Sequence, residues 1–517
     1  MAFKRLVSKF CDMLGNRRGN VAMIFALSLL PVTLLSGGAV DLSQAMNARS
    51  RLSQALDAAA LAVGVNTSLS NEDAMAIANN FIAANYPGRE LGTVVDVAVN
   101  IDDESDTVTV SGAARVQTTM LGLAGIDYIT VHWESQVQRA RSRLELVMVL
   151  DNTGSMGGSK IRALRESAEL LTEILYDAAD ETGDVKIGLV PFAATVNVGT
   201  QYEREWWLDP NALSPQHGEW GGNTVEVETC TGRGWRRRCT TEEYRINHWD
   251  LFDQIRNSSW QGCVEARAIP YDIDDTAPSE SRPETLFVPY FSPDEPDNGG
   301  FSNSYLNDGT SGGVNERLVY MPKYDGASAW SGYTNRSCTT TPITPLTTNQ
   351  RTVQDAIGDM GASGTTNIPN GIGWGVRVIS PGEPFTQGVS WSDDEVIKAM
   401  VILTDGDNVM TGRNTNLMSD YEAYGYVTDG RLGVRTASGN VLGRELDERT
   451  EAACDYAKSL GIRVYTITFQ VSSSSTRELM EGCASHPSLY FDSPSSEALE
   501  AAFETIAGDL TNLRISR

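Results

Sequence analysis

From residue 144 onward, four apolar runs read as buried strands: LELVMVLD (144–151), VKIGLVPFA (185–193), KAMVILTD (398–405) and IRVYTITFQV (462–471). Helical stretches near 160–180, 367–379, 448–460 and 495–511 alternate with them. Strands apolar on both faces need cover on both faces, and strands joined through helices run parallel. The expected fold is therefore α/β: an open, mostly parallel sheet with helices on both sides. Ligands of such sheets sit outside the carboxyl ends of the strands, so candidate residues belong at strand ends.

Oxygen-bearing side chains collect there. The first strand runs directly into DNTGS, which places Asp151, Thr153 and Ser155 in the turn that follows it. Two later segments offer completion: GTTNIPNG, with Thr365 and Thr366 before a helix, and VILTDGDN, with Asp405 at another strand end. A set rich in hydroxyls, with only two carboxylates, suits a hard divalent cation that keeps some of its water. Mg2+ is the expected ion, with Ca2+ or Mn2+ as alternatives. So few ligand charges leave a strong positive field at an open position, able to accept a carboxylate from a partner.

Residues 200–349 interrupt the strand–helix rhythm. Trp206, Trp207, Trp220, Trp235, Trp249, Trp260 and Trp330 fall there, together with four cysteines. A structureless loop of that length is improbable, so the region reads as an inserted subdomain stapled by disulfides, its aromatics forming a small core of their own. Surface use of some tryptophans is the alternative. Cys230, Cys239, Cys263, Cys338, Cys454 and Cys483 are an even set consistent with an oxidising compartment. Spacing favours Cys230 with Cys239, leaving Cys263 with Cys338 and Cys454 with Cys483 as the simplest pairing. Neither CxxC spacing nor nearby histidines support zinc.

The N-terminus has another character. Residues 21–40 hold 20 residues without a charge, preceded by Lys4, Arg5, Lys9, Arg17 and Arg18. That length crosses a bilayer, and the basic flank places the N-terminus in the cytoplasm, with everything after Asp41 on the far side. A cleaved signal peptide is the alternative. Helices are expected over 42–64, continuing out of the membrane or packing just above it, and over 71–86, the second capped by Ser70, then strands near 93–102, 106–117 and 128–138. The predicted organisation is a basic tail (1–20), a transmembrane helix (21–40), a membrane-proximal α+β module (41–140), a sheet domain (144–199 and 350–517) and its insertion (200–349). The net charge of −26 makes nucleic acid a poor partner.

VMVLDNTGSM, GTTNIPNG and VILTDGDN resemble the three segments of the metal-ion-dependent adhesion site of the von Willebrand factor type A fold. Asp151 and Ser155 match the outer members of that family's first segment, and Thr153 stands where a Ser is usual. The resemblance selects Thr366 over Thr365 and puts Asp405 in third place. RRGNVAMIFALSLLPV with LSQALDAAALAVG resembles TadG-related tight-adherence (Flp) pilus assembly proteins, which begin with a TadE/TadG-like membrane segment. This likeness implies a bacterial inner-membrane protein with periplasmic main domains. It also implies a pilus-assembly or adhesion role, toward a pilus or cell-envelope component presenting a carboxylate. Pseudopilins of that system are cut after a Gly that is followed five residues later by Glu. Here Ile24 stands at that distance from Gly19, which favours a permanent anchor over a filament subunit.

An enzyme is the rival class, with Asp407 or Asp151 as the base of a metal-dependent hydrolase. The histidines lack HExxH spacing, Ser155 lies in no GxSxG elbow, and GTTNIPNG lacks the Lys-Ser/Thr ending of a phosphate loop. The expectation is a non-enzyme. A scaffold that keeps the geometry without the ion is the third reading.

Overall fold

The structure, a computed structural model, describes residues 20–64, 70–102, 107–138, 143–179, 184–338 and 341–515. The expected basic tail, with Cys11, lies outside them. The chain forms two compact units, Met1–Arg141 with Ile515–Arg517, and Ser142–Arg514.

In the first unit, α1 (Asn20–Gly64) is one continuous helix with Pro31 inside it, and α2 (Asn71–Asn85) follows. Ser70 caps α2, its hydroxyl accepting the Asp73 N–H at 3.2 Å, as the sequence suggests. Strands β1 (Thr93–Asp102), β2 (Thr107–Gln117) and β3 (Tyr128–Gln138) form an antiparallel meander. Leu52, Leu56, Ala59 and Val63 of α1 pack with Ala78 and Ile82 of α2 against Val108 and Val110. Asp41 is buried and accepts the N–H groups of Thr119, Met120 and Leu121, which ties α1 to the loop after β2. Among the described residues no helix is long and apolar enough to cross a membrane. The segment expected to cross over 21–40 and the helix expected over 42–64 are one element, α1, which takes the continuing arrangement and runs into the charged stretch containing Asp41, Arg49 and Arg51.

The second unit is built on an eight-stranded sheet in the order β13-β12-β11-β4-β5-β6-β9, with β10 beside β5. Its parallel part joins β4 (Arg143–Asp151), β5 (Val185–Phe192), β11 (Val396–Thr404), β12 (Arg463–Phe469) and β13 (Tyr490–Ser493). The short strands β6 (Val196–Asn197), β9 (Cys263–Val264) and β10 (Thr344–Thr347) pair antiparallel at one side. A separate two-stranded sheet holds β7 (Thr224–Thr231) and β8 (Arg238–Arg245).

Period-two alternation sends successive side chains of a strand to opposite faces, and β4 shows how both become core. Leu144, Leu146, Met148 and Leu150 pack with Leu164, Leu171, Val353 and Phe503, the last four drawn from α3 (Ser159–Asp177), α4 (Gln350–Gly358) and α8 (Ser496–Ile515). Val147 and Val149 face Ile372, Val376 and Ala457, from α5 (Ile368–Ile379) and α6 (Gly439–Ser459). Between α6 and α8, α7 (Ser474–Cys483) is tied to α6 by the Cys454–Cys483 disulfide.

The insertion departs from expectation in one respect. Trp207, Trp220, Trp249 and Trp260 do not form a core of their own; they belong to the same buried cluster as Val147, Val149, Val190 and Trp374. Phe287 bridges the two parts, its ring 4.8 Å from that of Trp374 and 5.7 Å from that of Trp207. Packed on the sheet face, the insertion's aromatics take apolar surface of both parts out of water together. Buried Arg377 of α5 strengthens the seat by donating to the carbonyls of Tyr271, Asp272 and Asp274. The other disulfides are Cys230–Cys239, the pair that the spacing favours, and Cys263–Cys338, which with Cys454–Cys483 completes the simplest pairing.

Candidate functional site

The carboxyl ends of β4 and β11 lie side by side, with Leu150 in register with Leu403. That pairing brings Asp151 and Asp405 together across 254 residues of sequence. Three loops interlock there through backbone bonds. Gly154 N–H donates to the Gly364 carbonyl at 3.0 Å, Ser363 N–H to the Asn152 carbonyl at 2.8 Å, and Val409 N–H to the Thr366 carbonyl at 2.8 Å. Asn408 accepts the Ile368 N–H at 2.9 Å, holding the third loop on the first turn of α5.

On this frame four of the five predicted side chains meet. Asp151, wholly buried, accepts the Thr153 N–H at 2.8 Å through one oxygen and the Thr404 hydroxyl at 2.8 Å through the other. The Thr153 and Ser155 hydroxyls lie 2.9 Å apart, and Ser155 donates to Asp405 at 2.5 Å. Thr366 is buried beside them through its backbone, but no hydrogen bond links its side chain to the other four. Thr365 points elsewhere and donates to Glu422 at 3.0 Å, so the two threonines are not interchangeable. Asp407, the alternative base, accepts the Thr476 hydroxyl near the start of α7.

Two participants escaped the sequence reading. Thr404, read as the end of a strand, is the hydroxyl that orients Asp151. Lys160, in the first turn of α3, places its ammonium 2.7 Å from Asp405. Its position five residues after Ser155 was the available signal.

Burial, and next the charge of Asp405, push the Asp151 carboxyl up to about 6, against the lowering effect of its hydrogen bonds. Two carboxylates in one dry corner repel, and a cation between them reverses that term. Among the described residues no three His, Cys, Asp or Glu side chains gather so as to hold a metal ion. An ion here would therefore depend on the hydroxyls as well as on Asp151 and Asp405. The donor set, all hard oxygen, fits Mg2+ better than a softer metal.

Residues 19–66 match a family model described as "Putative Flp pilus-assembly TadE/G-like". No curated protein matches the chain. Among solved structures, similarity extends to the pilus adhesin SpaC of Lactobacillus rhamnosus GG, at 12% identity and TM-score 0.32, over 80% of this chain and 34% of that one. The vWF domain of the type V pili tip protein Mfa5 from Porphyromonas gingivalis aligns at 10% identity and TM-score 0.34, over 73% and 97%. The PilB minor pilin of Streptococcus sanguinis aligns at 12% identity and TM-score 0.32, over 82% and 81%. The chain thus spans about a third of the length of SpaC, 34%. Overlaps this shallow bear no weight on function.

Proposed function

We propose that this protein is an envelope protein of pilus assembly or adhesion that binds a partner's acidic group through a divalent cation held by Asp151, Thr153 and Ser155, with Thr366 and Asp405 completing the site. The observation that carries this reading is the convergence of Asp151, Thr153, Ser155 and Asp405 at neighbouring strand ends. The motif spacing supports a von Willebrand factor type A arrangement. Mg2+, when bound, supplies an open coordination position for a carboxylate. Thr404 and the Thr153 N–H hold the Asp151 oxygens in place, so that little reorganisation is needed. Calorimetric titration with Mg2+ tests the reading: the full chain should bind and Asp151→Ala should not, and equal binding by both would discard the assignment.

Membrane attachment belongs to the same proposal and rests on the first part of α1. Ile24, Phe25, Leu27, Leu29, Val32 and Leu35 are exposed there. Ser28, Thr33 and Ser36 turn their hydroxyls onto the carbonyls of Phe25, Leu29 and Val32, satisfying their polar groups within the helix, as a low-dielectric surrounding requires. The TadE/G-like match over 19–66 supports a place in the cell envelope, and the basic residues before residue 21 are the ground for a cytoplasmic N-terminus and periplasmic main domains. Protein expressed in a bacterium should stay with the membrane fraction through alkaline carbonate washing; release by the wash refutes attachment through α1.

Lys160 favours a second reading, a scaffold without an ion. Its ammonium already neutralises Asp405, and the same titration decides, because a scaffold gives no binding heat with the unmodified chain.

A further inference from the structure

The hairpin of β7 and β8 concentrates positive charge at its tip. Between Cys230 and Cys239 the sequence reads TGRGWRRR, with Arg233, Arg236, Arg237 and Arg238 and no acid, in a chain of net charge −26. The acids of the hairpin, Glu226, Glu228, Glu242 and Glu243, lie on the strands behind this tip. The four arginines make no ion pair with a carboxylate among the described residues; Arg237 instead donates to the Cys230 sulfur at 3.2 Å. Trp235, at the apex, is 88% exposed, and the Arg236 guanidinium lies 4.7 Å from its ring centre.

The tip is built to project. The hairpin forms a sheet by itself, every residue of β8 is exposed, and residues 231–240 are exposed throughout. Its base is fixed: Ile246 is buried, its N–H donating to the Asn223 carbonyl at 2.8 Å, and Arg245 donates to the carbonyls of Leu213 and Ser214. The Cys230–Cys239 disulfide joins residues directly opposite each other in the ladder. Gly232 takes a left-handed conformation (φ 89°), where a Cβ would strike the Arg236 carbonyl. The loop is thus preorganised, and little conformational freedom remains to be lost on binding.

We propose that this tip docks on the surface of an anionic phospholipid bilayer, its arginines meeting headgroup phosphates and Trp235 entering the interfacial layer. Indole rings favour that layer, and each basic side chain near an anionic membrane strengthens association about fivefold. A protruding knob suits a fluid surface that a ring can sink into; it encloses no ligand, and a folded partner would need a matching hollow. Local charge reversal is also what an acidic protein requires to approach an anionic membrane at all. This inference does not depend on the cation site.

The test uses the full chain with vesicles of phosphatidylcholine alone, or mixed with phosphatidylglycerol, each carrying a lipid-borne fluorescence quencher. Because α1 can hold the protein to either vesicle, the quantity read is the quenching lost in Trp235→Phe, which isolates one indole. Trp235 quenching should appear in the anionic vesicles, stay absent in the zwitterionic ones, disappear at high salt, and vanish when the four arginines are replaced by Gln. All four are exposed, and matching thermal midpoints would show that this variant keeps its fold. Equal quenching in both vesicle types, or none in either, overturns the proposal without recourse to any arginine variant. If Trp235 stays unquenched while heparin shifts its emission in a salt-sensitive way, a soluble polyanion replaces the membrane as the partner and the proposal fails.

Discussion

Strand β4 buries a carboxylate at each end, and the two are treated differently. At the start, Glu145 accepts Lys186 at 2.9 Å and Lys398 at 2.5 Å, and both of its oxygens accept the Val389 N–H at 3.1 Å. At the finish, Asp151 is as deeply buried but meets only hydroxyl and backbone donors, with the Asp405 carboxylate beside it. The ammonium of Lys160 is spent on Asp405. A charge balanced by fixed partners serves folding, whereas one left short of positive charge is a place where an ion or a proton is bound. The same sheet supplies both, and only the second lies where open α/β sheets bind ligands.

The balanced end gives the larger expected effect. Glu145→Ala leaves Lys398, 8% exposed, without its carboxylate, in surroundings that already hold its ammonium below the ordinary lysine range through burial. Loss of roughly 3–5 kcal/mol is expected from breaking such a pair, read as a fall in the urea midpoint. A loss under about 1 kcal/mol would show that this pairing is no more consequential than a surface one, and the comparison would collapse.

At the other end the expected effect is smaller and depends on pH. With its carboxyl raised from 3.8 to about 6, Asp151 favours the folded state fully only below its unfolded value. That contribution is lost as pH rises through the folded one. In chelator, the swing is roughly 2–3 kcal/mol against the folded protein between about pH 4 and pH 7. Glu265 and Glu422, both pushed up to about 7 mainly by burial, titrate over a similar range. The quantity to follow is therefore the difference in urea stability between the protein and Asp151→Asn, which should grow in favour of the variant as pH rises. Saturating Mg2+ should reverse the order near neutral pH by stabilising only the unmodified protein. A difference independent of pH would mean that Asp151 is as well compensated as Glu145.

The short parallel strand β13 and the helices α4 and α7 were not read as such, but the other four parallel strands, the helices α3, α5, α6 and α8 and the turn bearing Asp151, Thr153 and Ser155 were readable along the chain. Each is a local pattern of apolar period or short polar spacing. Lys160 and Thr404 were not, because their importance comes from Asp405 and Asp151, 245 and 253 residues away in sequence. The buried tryptophans were recognised as core residues but assigned to the wrong core. An aromatic residue announces that it will leave water, not which surface will cover it. In the same way the first part of α1 was read correctly as apolar, and of the two placements open for the helix after it, continuing that segment or packing just above it, the folded chain takes the first.

By itself the amino-acid order determined the longer strands and most of the longer helices, which faces must be covered, and that oxygen donors crowd the end of one strand. Those properties follow from side-chain period and residue type within a few positions. Tertiary structure alone decided that β11 lies against β4, that the insertion completes a face of the sheet, and that Glu145 is neutralised while Asp151 is not. Charge compensation falls off with distance in space, and that distance exists only once the sheet has set the neighbours of each strand.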